Sequence, residues 1–351
     1  MSQLSRRVFL GAGAALGVTA FAGLKETKSS FAQGKQEINL YSSRHYNTDN
    51  RLYKDFEIET GIKVNLVEGK GKQLLERIKS EGRNSKADIF ITADAGNLWK
   101  AQQAGIFTPI SSSSLTSKVP NYFRDPQNHW FGFSKRLRVI MYNKNKVSAS
   151  QLSTYEDLAN SKWKGKIAIR SSSNIYNQSL VSWLVAKNGQ QAIDQWSKAI
   201  VANMARKPQG GDTDQIKAVA AGIADIAVAN TYYLGRLGSS SNPQDKAIFD
   251  QIKVFFPNQS GSGAHVNISG GGVLKNAPNK AGAIKFLEYL VTPSAQRFFA
   301  NGNNEYPVVQ GIDLSPVLAS FGSYKSDVFG VAKYGPGLDN AVKTMDRAGW
   351  R

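Results

Sequence analysis

The 351-residue chain contains no cysteine and carries 44 Lys and Arg against 26 Asp and Glu, a formal net charge of +18. The missing thiols exclude a disulfide framework, a lipoprotein anchor and thiolate sites for zinc, copper or iron–sulfur chemistry, so any metal must rest on His, carboxylate or phenolate. The positive excess makes nucleic acid the reflex partner, but there is no basic stripe interleaved with stacking aromatics; attraction to an anionic membrane, or a positive field within a cleft, fits better.

The chain opens with Ser5-Arg6-Arg7-Val8-Phe9-Leu10 and an uncharged, Gly- and Ala-rich run from Gly11 to Leu24, which reads as a twin-arginine export signal. The run is too short and too rich in Gly for a membrane span. Small residues at Ser30 and Ala32 predict cleavage after residue 32, so that 1–32 is signal and the mature chain begins near Gln33. A mature chain of about 320 residues exceeds one comfortable core, which favours two lobes.

Strands are predicted at Glu37–Ser43, Lys63–Glu68 and Ala87–Ala93, alternating with helices at Asn50–Thr60, Gln73–Glu81 and Leu98–Ala104. Such alternation means a mostly parallel α/β sheet. It restarts mid-chain with a strand at Lys166–Ser171, helices at Gln178–Lys187, Gln190–Ala202 and Asp214–Ala221, and strands at Asp225–Asn230 and near Lys253–Phe256. After a flexible segment, Pro257 to Gly263, strand character returns over Val266–Lys275, and helices follow at Asn279–Leu290 and Ser294–Asn301. The expected organisation is a first lobe of 33–137 plus 264–351, a second lobe of 138–263, and two strands as hinge near Arg138–Tyr142 and Gly261–His265. Ile110–Ser114 and Gly238–Asn242 read as surface segments.

Ligands of open α/β sheets lie beyond the carboxyl ends of strands, and in a two-lobed protein those ends face each other across a cleft. The first strand is followed by Ser42-Ser43-Arg44-His45-Tyr46, the strand ending near Arg170 by Ser171-Ser172-Ser173-Asn174-Ile175-Tyr176, and Asp225–Asn230 by Thr231-Tyr232-Tyr233. Three strand ends therefore deliver four tyrosines and one histidine toward one cleft, with His45 and Tyr46 coming from the first lobe. Phenolate oxygen is the hard ligand that ferric iron prefers, although neighbouring aromatics also stack in cores or line sugar and polyamine pockets.

Three motifs, Tyr41-Ser42-Ser43-Arg44-His45-Tyr46, Arg170-Ser171-Ser172-Ser173-Asn174-Ile175-Tyr176-Asn177-Gln178 and Asn230-Thr231-Tyr232-Tyr233-Leu234-Gly235-Arg236, make the mature chain resemble the bacterial periplasmic ferric-binding proteins. It is most similar to the cyanobacterial branch that feeds an ABC iron importer. The resemblance implies a two-lobed, transferrin-like class II periplasmic-binding-protein fold that closes over one Fe3+. By motif match it implies Tyr46, Tyr176, Tyr232 and Tyr233 as ligands, with His45 as an additional ligand whose use varies in the family. Four phenolates on Fe3+ leave one net negative charge, for which Arg136 at the hinge and Arg236, one helical turn beyond the tyrosines, are the expected compensating cations, with Arg44 a third.

The expected function is a non-enzymatic, monomeric periplasmic carrier that delivers iron to an ABC permease in the inner membrane, with no nucleic-acid partner. Two alternatives stay open: a protective iron-stress protein at a thylakoid or photosystem surface, and an oxyanion or sugar binder on the same fold. Nothing argues for an enzyme. There is no His-Glu-x-x-His and no Gly-x-Ser-x-Gly, and Gly69-Lys70-Gly71-Lys72 and Gly270-Gly271-Gly272 lack the flanking pattern of a phosphate loop.

Overall fold

A computed structural model describes residues 37–351 with the exception of His45. The export signal read from residues 1–32 lies outside the described residues. Three strands start the fold, β1 and β3 lined with buried aliphatic residues and β2, at the sheet edge, only partly buried: β1 (Glu37–Ser42), β2 (Lys63–Glu68) and β3 (Ile89–Thr92), all parallel, with β1 between the other two. The helix Asp49–Thr60 connects the first pair, turns Leu52, Tyr53 and Phe56 inward, and stops at Gly61, whose φ of 71° suits a residue without Cβ. The helix Gly71–Glu81 buries only Leu74 and Ile78, in keeping with a surface layer over the sheet.

The remaining strands are β4 (Phe131–Asn143), β5 (Ile167–Ala168), β6 (Ile226–Asn230), β7 (Ile252–Phe255), β8 (Val266–Val273) and β9 (Tyr306–Pro307). β8 lies antiparallel between β3 and β4. Glycines 270–272 allow this: a Cβ on any of them would collide with the backbone carbonyl of Phe131, Phe90 or His129. The glycine run is therefore close strand packing. β4 is common to the two halves of the molecule, pairing with β8 from Phe131 to Leu137 and with β6 and β7 from Arg138 to Asn143. The stretch between β7 and β8 is the other connection, tied to β4 where the Arg138 amide donates to the His265 carbonyl at 3.2 Å. The fold is thus the two-lobed α/β arrangement with a two-strand hinge.

Several local differences from the sequence reading have physical causes. The strand expected at Lys166–Ser171 shrinks to Ile167–Ala168, because the carbonyls of Arg170 and Ser171 accept from the Asn177 side chain at 2.7 and 3.2 Å instead of from a neighbouring strand. Gly238–Asn242 is not a bare turn. The helix Thr231–Ser239 runs into it, and Asn242 then caps the helix Pro243–Gln251, with proline at its first position. Ile110–Ser114 likewise leads into the helix Ser113–Lys118, capped by Ser112. The closing helix Leu338–Arg347, which sequence order grouped with the first lobe, packs Leu338 against Gly96 of that lobe but makes its polar contacts with second-lobe segments. Gln190 donates to Thr344 at 2.7 Å, Arg347 pairs with Asp194 at 2.6 Å, and the Trp350 indole donates to the Arg170 carbonyl at 2.8 Å. Among the described residues no helix is long and apolar enough to cross a membrane.

His265 is buried at the hinge between the rings of Trp183 and Tyr334, at centroid distances of 5.5 and 5.6 Å. Burial, reinforced by Arg138 and Arg136, pulls its pKa down to about 3, whereas an unfolded histidine titrates near 6.5. As pH falls below about 6.5 the unfolded chain takes up a proton that the folded state refuses, so stability is complete at neutral pH and declines toward pH 3 by up to about 1.4 kcal/mol per pH unit. His265→Phe is expected to flatten this acid-side decline in urea unfolding measured from about pH 4 to pH 7. An unchanged slope would refute the assignment.

Candidate metal centre

Each candidate tyrosine stands at or just before the start of a helix. Tyr46 lies four residues beyond β1, and its carbonyl accepts from the Asp49 amide at 2.8 Å as the chain turns into Asp49–Thr60. Tyr176 is the second residue of the helix Ile175–Asn188, whose cap, Asn174, accepts from the Tyr176 amide at 3.2 Å. Tyr232 and Tyr233 are the second and third residues of Thr231–Ser239, immediately after β6. Three helix N-termini, with their positive dipole ends, thus carry the four phenols.

The phenols come together. The hydroxyls of Tyr176 and Tyr232 are 3.3 Å apart, the Tyr46 ring stands edge-on to Tyr232 at 5.9 Å, and Tyr233 lies against the Tyr232 ring at 4.2 Å. Tyr46, from the first lobe, therefore meets the three tyrosines of the second. Tyr46 and Tyr232 are buried, while Tyr176 and Tyr233 are partly exposed. His45 lies outside the described residues. Among those described, no group of three His, Asp or Glu side chains is placed to hold a metal, so a cation here would depend on the phenol oxygens.

The electrostatics favour neutral phenols until a cation arrives. Burial raises the Tyr46 pKa well above the usual phenol value, with Glu305 adding to the rise and Arg136 and Arg44 opposing it. Burial does the same at Tyr232, assisted by Tyr176, Tyr46 and Tyr233. Tyr233 is also raised, first by burial and then by Tyr176 and Asp212. Coordination must displace these protons, so affinity for a hard cation rises with pH.

The three expected arginines surround the tyrosines. Arg236, exposed at the rim, sets its guanidinium 4.5 Å from the Tyr46 ring centre, 5.0 Å from Tyr232 and 5.9 Å from Tyr233. Arg136 is fully buried, 6.0 Å from the Tyr176 ring, and Arg44 is buried 4.6 Å from the Tyr46 ring. Glu305 was not foreseen. It is fully buried and accepts from Tyr46 at 3.3 Å, Ser134 at 2.8 Å, Arg44 at 3.0 Å and Arg136 at 3.5 Å. Burial opposes its charge, but Arg44 and Arg136 outweigh that and hold its carboxyl below the ordinary range. A lone acid in Asn303-Asn304-Glu305-Tyr306 carries no spacing signal. The only hint was that buried arginines need a counter-charge.

Comparison with known proteins gives a consistent result. A family described as bacterial extracellular solute-binding protein matches residues 84–320. Iron uptake protein A1 of Synechocystis is 54% identical, with the match covering 100% of both chains. The Fe(3+)-binding periplasmic protein of Serratia marcescens is 31% identical across 82% of this chain and 83% of its own. Among solved structures, the Trichodesmium protein (IdiA, FutA) in complex with iron and citrate superposes with a TM-score of 0.87 at 63% identity, covering 90% of this chain and 100% of that one.

The carboxylate of Glu305 balances two buried guanidinium groups, of which Arg44 also has Asp49 at 2.7 Å while Arg136 has no other carboxylate within 4 Å among the described residues. Glu305→Gln keeps the shape and strands the Arg136 charge. The expected result is a loss of roughly 3–5 kcal/mol in urea unfolding. A loss below about 1 kcal/mol would show that the network contributes little.

Proposed function

The chain belongs to the family of bacterial extracellular solute-binding proteins, and we propose that it captures Fe3+ in the tyrosine cleft and delivers it to an ABC permease in the inner membrane. The observation that carries this reading is the convergence of four phenols, from both lobes, at three helix N-termini ringed by Arg44, Arg136 and Arg236. Tyr46, Tyr176, Tyr232 and Tyr233 are the ligands in this proposal, with His45 next to Tyr46 available as a further donor. The arginines offset the negative charge that four phenolates leave on a trivalent ion, and the helix dipoles act in the same sense. The relatives named for iron uptake and Fe(3+) binding support the choice of cargo.

An oxyanion or sugar pocket is the weaker reading. A sugar site would offer open ring faces, but Tyr232 is stacked by Tyr233 and its hydroxyl faces that of Tyr176. Because Tyr46 comes from the first lobe and the other three tyrosines from the second, metal binding joins the lobes and the hinge can present a closed form to the permease. Release by reduction follows from the chemistry, since Fe2+ is softer and less charged than Fe3+ and gains less from hard phenolates. Export by the twin-arginine route into the periplasm and a monomeric state belong to the same proposal. Association with an anionic thylakoid or photosystem surface is an additional role compatible with the net charge of +15 that remains once residues 1–32, with four basic residues and one acidic, are removed; it predicts salt-sensitive co-sedimentation with those membranes.

Ferric citrate added to the purified apoprotein is expected to give the orange to purple phenolate-to-iron charge-transfer band, and a reductant is expected to abolish it. Tyr232→Phe or Tyr233→Phe keeps the ring and removes the oxygen. Affinity should then fall by more than the roughly 10- to 100-fold typical of losing an outer-shell partner. A colourless complex, or retained colour and affinity in both variants, would overturn the assignment.

A further inference from the structure

We propose that Arg138 is a positioning residue that sets the spacing between Tyr176 and the Tyr232–Tyr233 pair without touching cargo. It sits on β4 at the position where that strand exchanges β8 for β6, and it is almost wholly buried. Its Nη1 donates to Asp212 Oδ2 and to Asn230 Oδ1, both at 3.1 Å, and its Nη2 donates to Asn177 Oδ1 at 2.7 Å and to the Val228 carbonyl at 3.2 Å. Asn177 is the residue after Tyr176, and Asn230 is the cap of the helix that opens Thr231-Tyr232-Tyr233. One rigid, planar group therefore bridges the two segments that carry three of the four phenols.

Both segments are secured a second time by the same cluster. Asn177 turns its amide nitrogen onto the Arg170 and Ser171 carbonyls, fixing the loop that leads to Tyr176. Asp212 Oδ2 accepts from the Asn230 amide at 2.9 Å, and its other oxygen lies 3.8 Å from Arg170, whose guanidinium is 5.7 Å from the Tyr176 ring. The 3.3 Å separation of the Tyr176 and Tyr232 hydroxyls thus depends on two asparagines held by one guanidinium. A lysine keeps the charge beside Asp212, but a single ammonium cannot reproduce the fork that reaches both asparagines.

This inference rests on the tyrosine ligation proposed above, and Arg138→Lys tests it separately. Loaded with ferric citrate and challenged with EDTA, the variant is expected to show a shifted or weakened phenolate-to-iron band and to lose iron on the order of 10- to 100-fold more readily, while the apo form keeps a cooperative unfolding transition. Arg138→Met with Asp212→Asn, which removes the buried pair together and leaves only the partly exposed Arg170 without its carboxylate, should behave the same way. Asn203→Ala is the control. Asn203 is buried in the same lobe and binds the Leu158 and Asn160 carbonyls at 2.9 Å, away from the tyrosine segments, so its band should be unchanged. A wild-type band and EDTA resistance in Arg138→Lys, or an equal shift in the control, would overturn the inference alone. Absence of the band from the unsubstituted protein would overturn the tyrosine reading and this inference with it.

Discussion

Two buried guanidinium groups on one strand, Arg136 and Arg138, set the terms on which the rest of the molecule is arranged. Residues two apart on a strand share a face, yet these two look into different lobes because β4 changes partners between them. Each requires an anion, since an uncompensated buried charge costs several kcal/mol. Arg136 draws Glu305 from 169 residues away and Arg138 draws Asp212 from 74 away. Those two carboxylates place the site: Glu305 accepts from Tyr46, and Asp212 holds the start of the helix that bears Tyr232 and Tyr233.

Contacts across the cleft are of a different kind. Ser179 donates to Asp94 at 3.0 Å, Ser239 to Asn304 at 3.1 Å, and Arg236 covers the Tyr46 ring. These are few and polar, and Arg236 is exposed to solvent. The buried ion pairs of Arg44, Arg136 and Arg138 lie within each lobe and along β4, whereas the cleft is crossed by hydrogen bonds, ring contacts and an exposed arginine. Such a division keeps each half rigid and leaves the joint responsive to what lies between the tyrosines.

Much of this was legible in the sequence because it depends on local rules. Alternating apolar runs and amphipathic segments located β1 to β3 and their helices within a few residues, and the tendency of ligands to gather beyond strand ends brought Tyr46, Tyr176 and Tyr232–Tyr233 together before any coordinates. The extent of β4 was hidden because Ser134-Lys135-Arg136 and Arg138 look like exposed polar positions, although Ser134, Arg136 and Arg138 are buried. Their burial depends on Glu305 and Asp212, and no periodicity links residues so far apart. The helix Pro243–Gln251 is a different case, since Asn242-Pro243 is a readable start signal. The contacts of Leu338–Arg347 with the second lobe are a tertiary outcome that chain order alone does not express.

The insertion of β8 between β3 and β4 also has a consequence for how the chain acquires its shape. The first 143 residues hold four of the nine strands among the described residues and complete neither lobe: β3 and β4 cannot join one sheet until residues 266–273 arrive to bridge them, and the loop before Tyr176 awaits Trp350. Folding cannot advance lobe by lobe from the amino end. High contact order makes the molecule one slow kinetic unit, with its unpaired strand edges open to misassociation until the late segments dock.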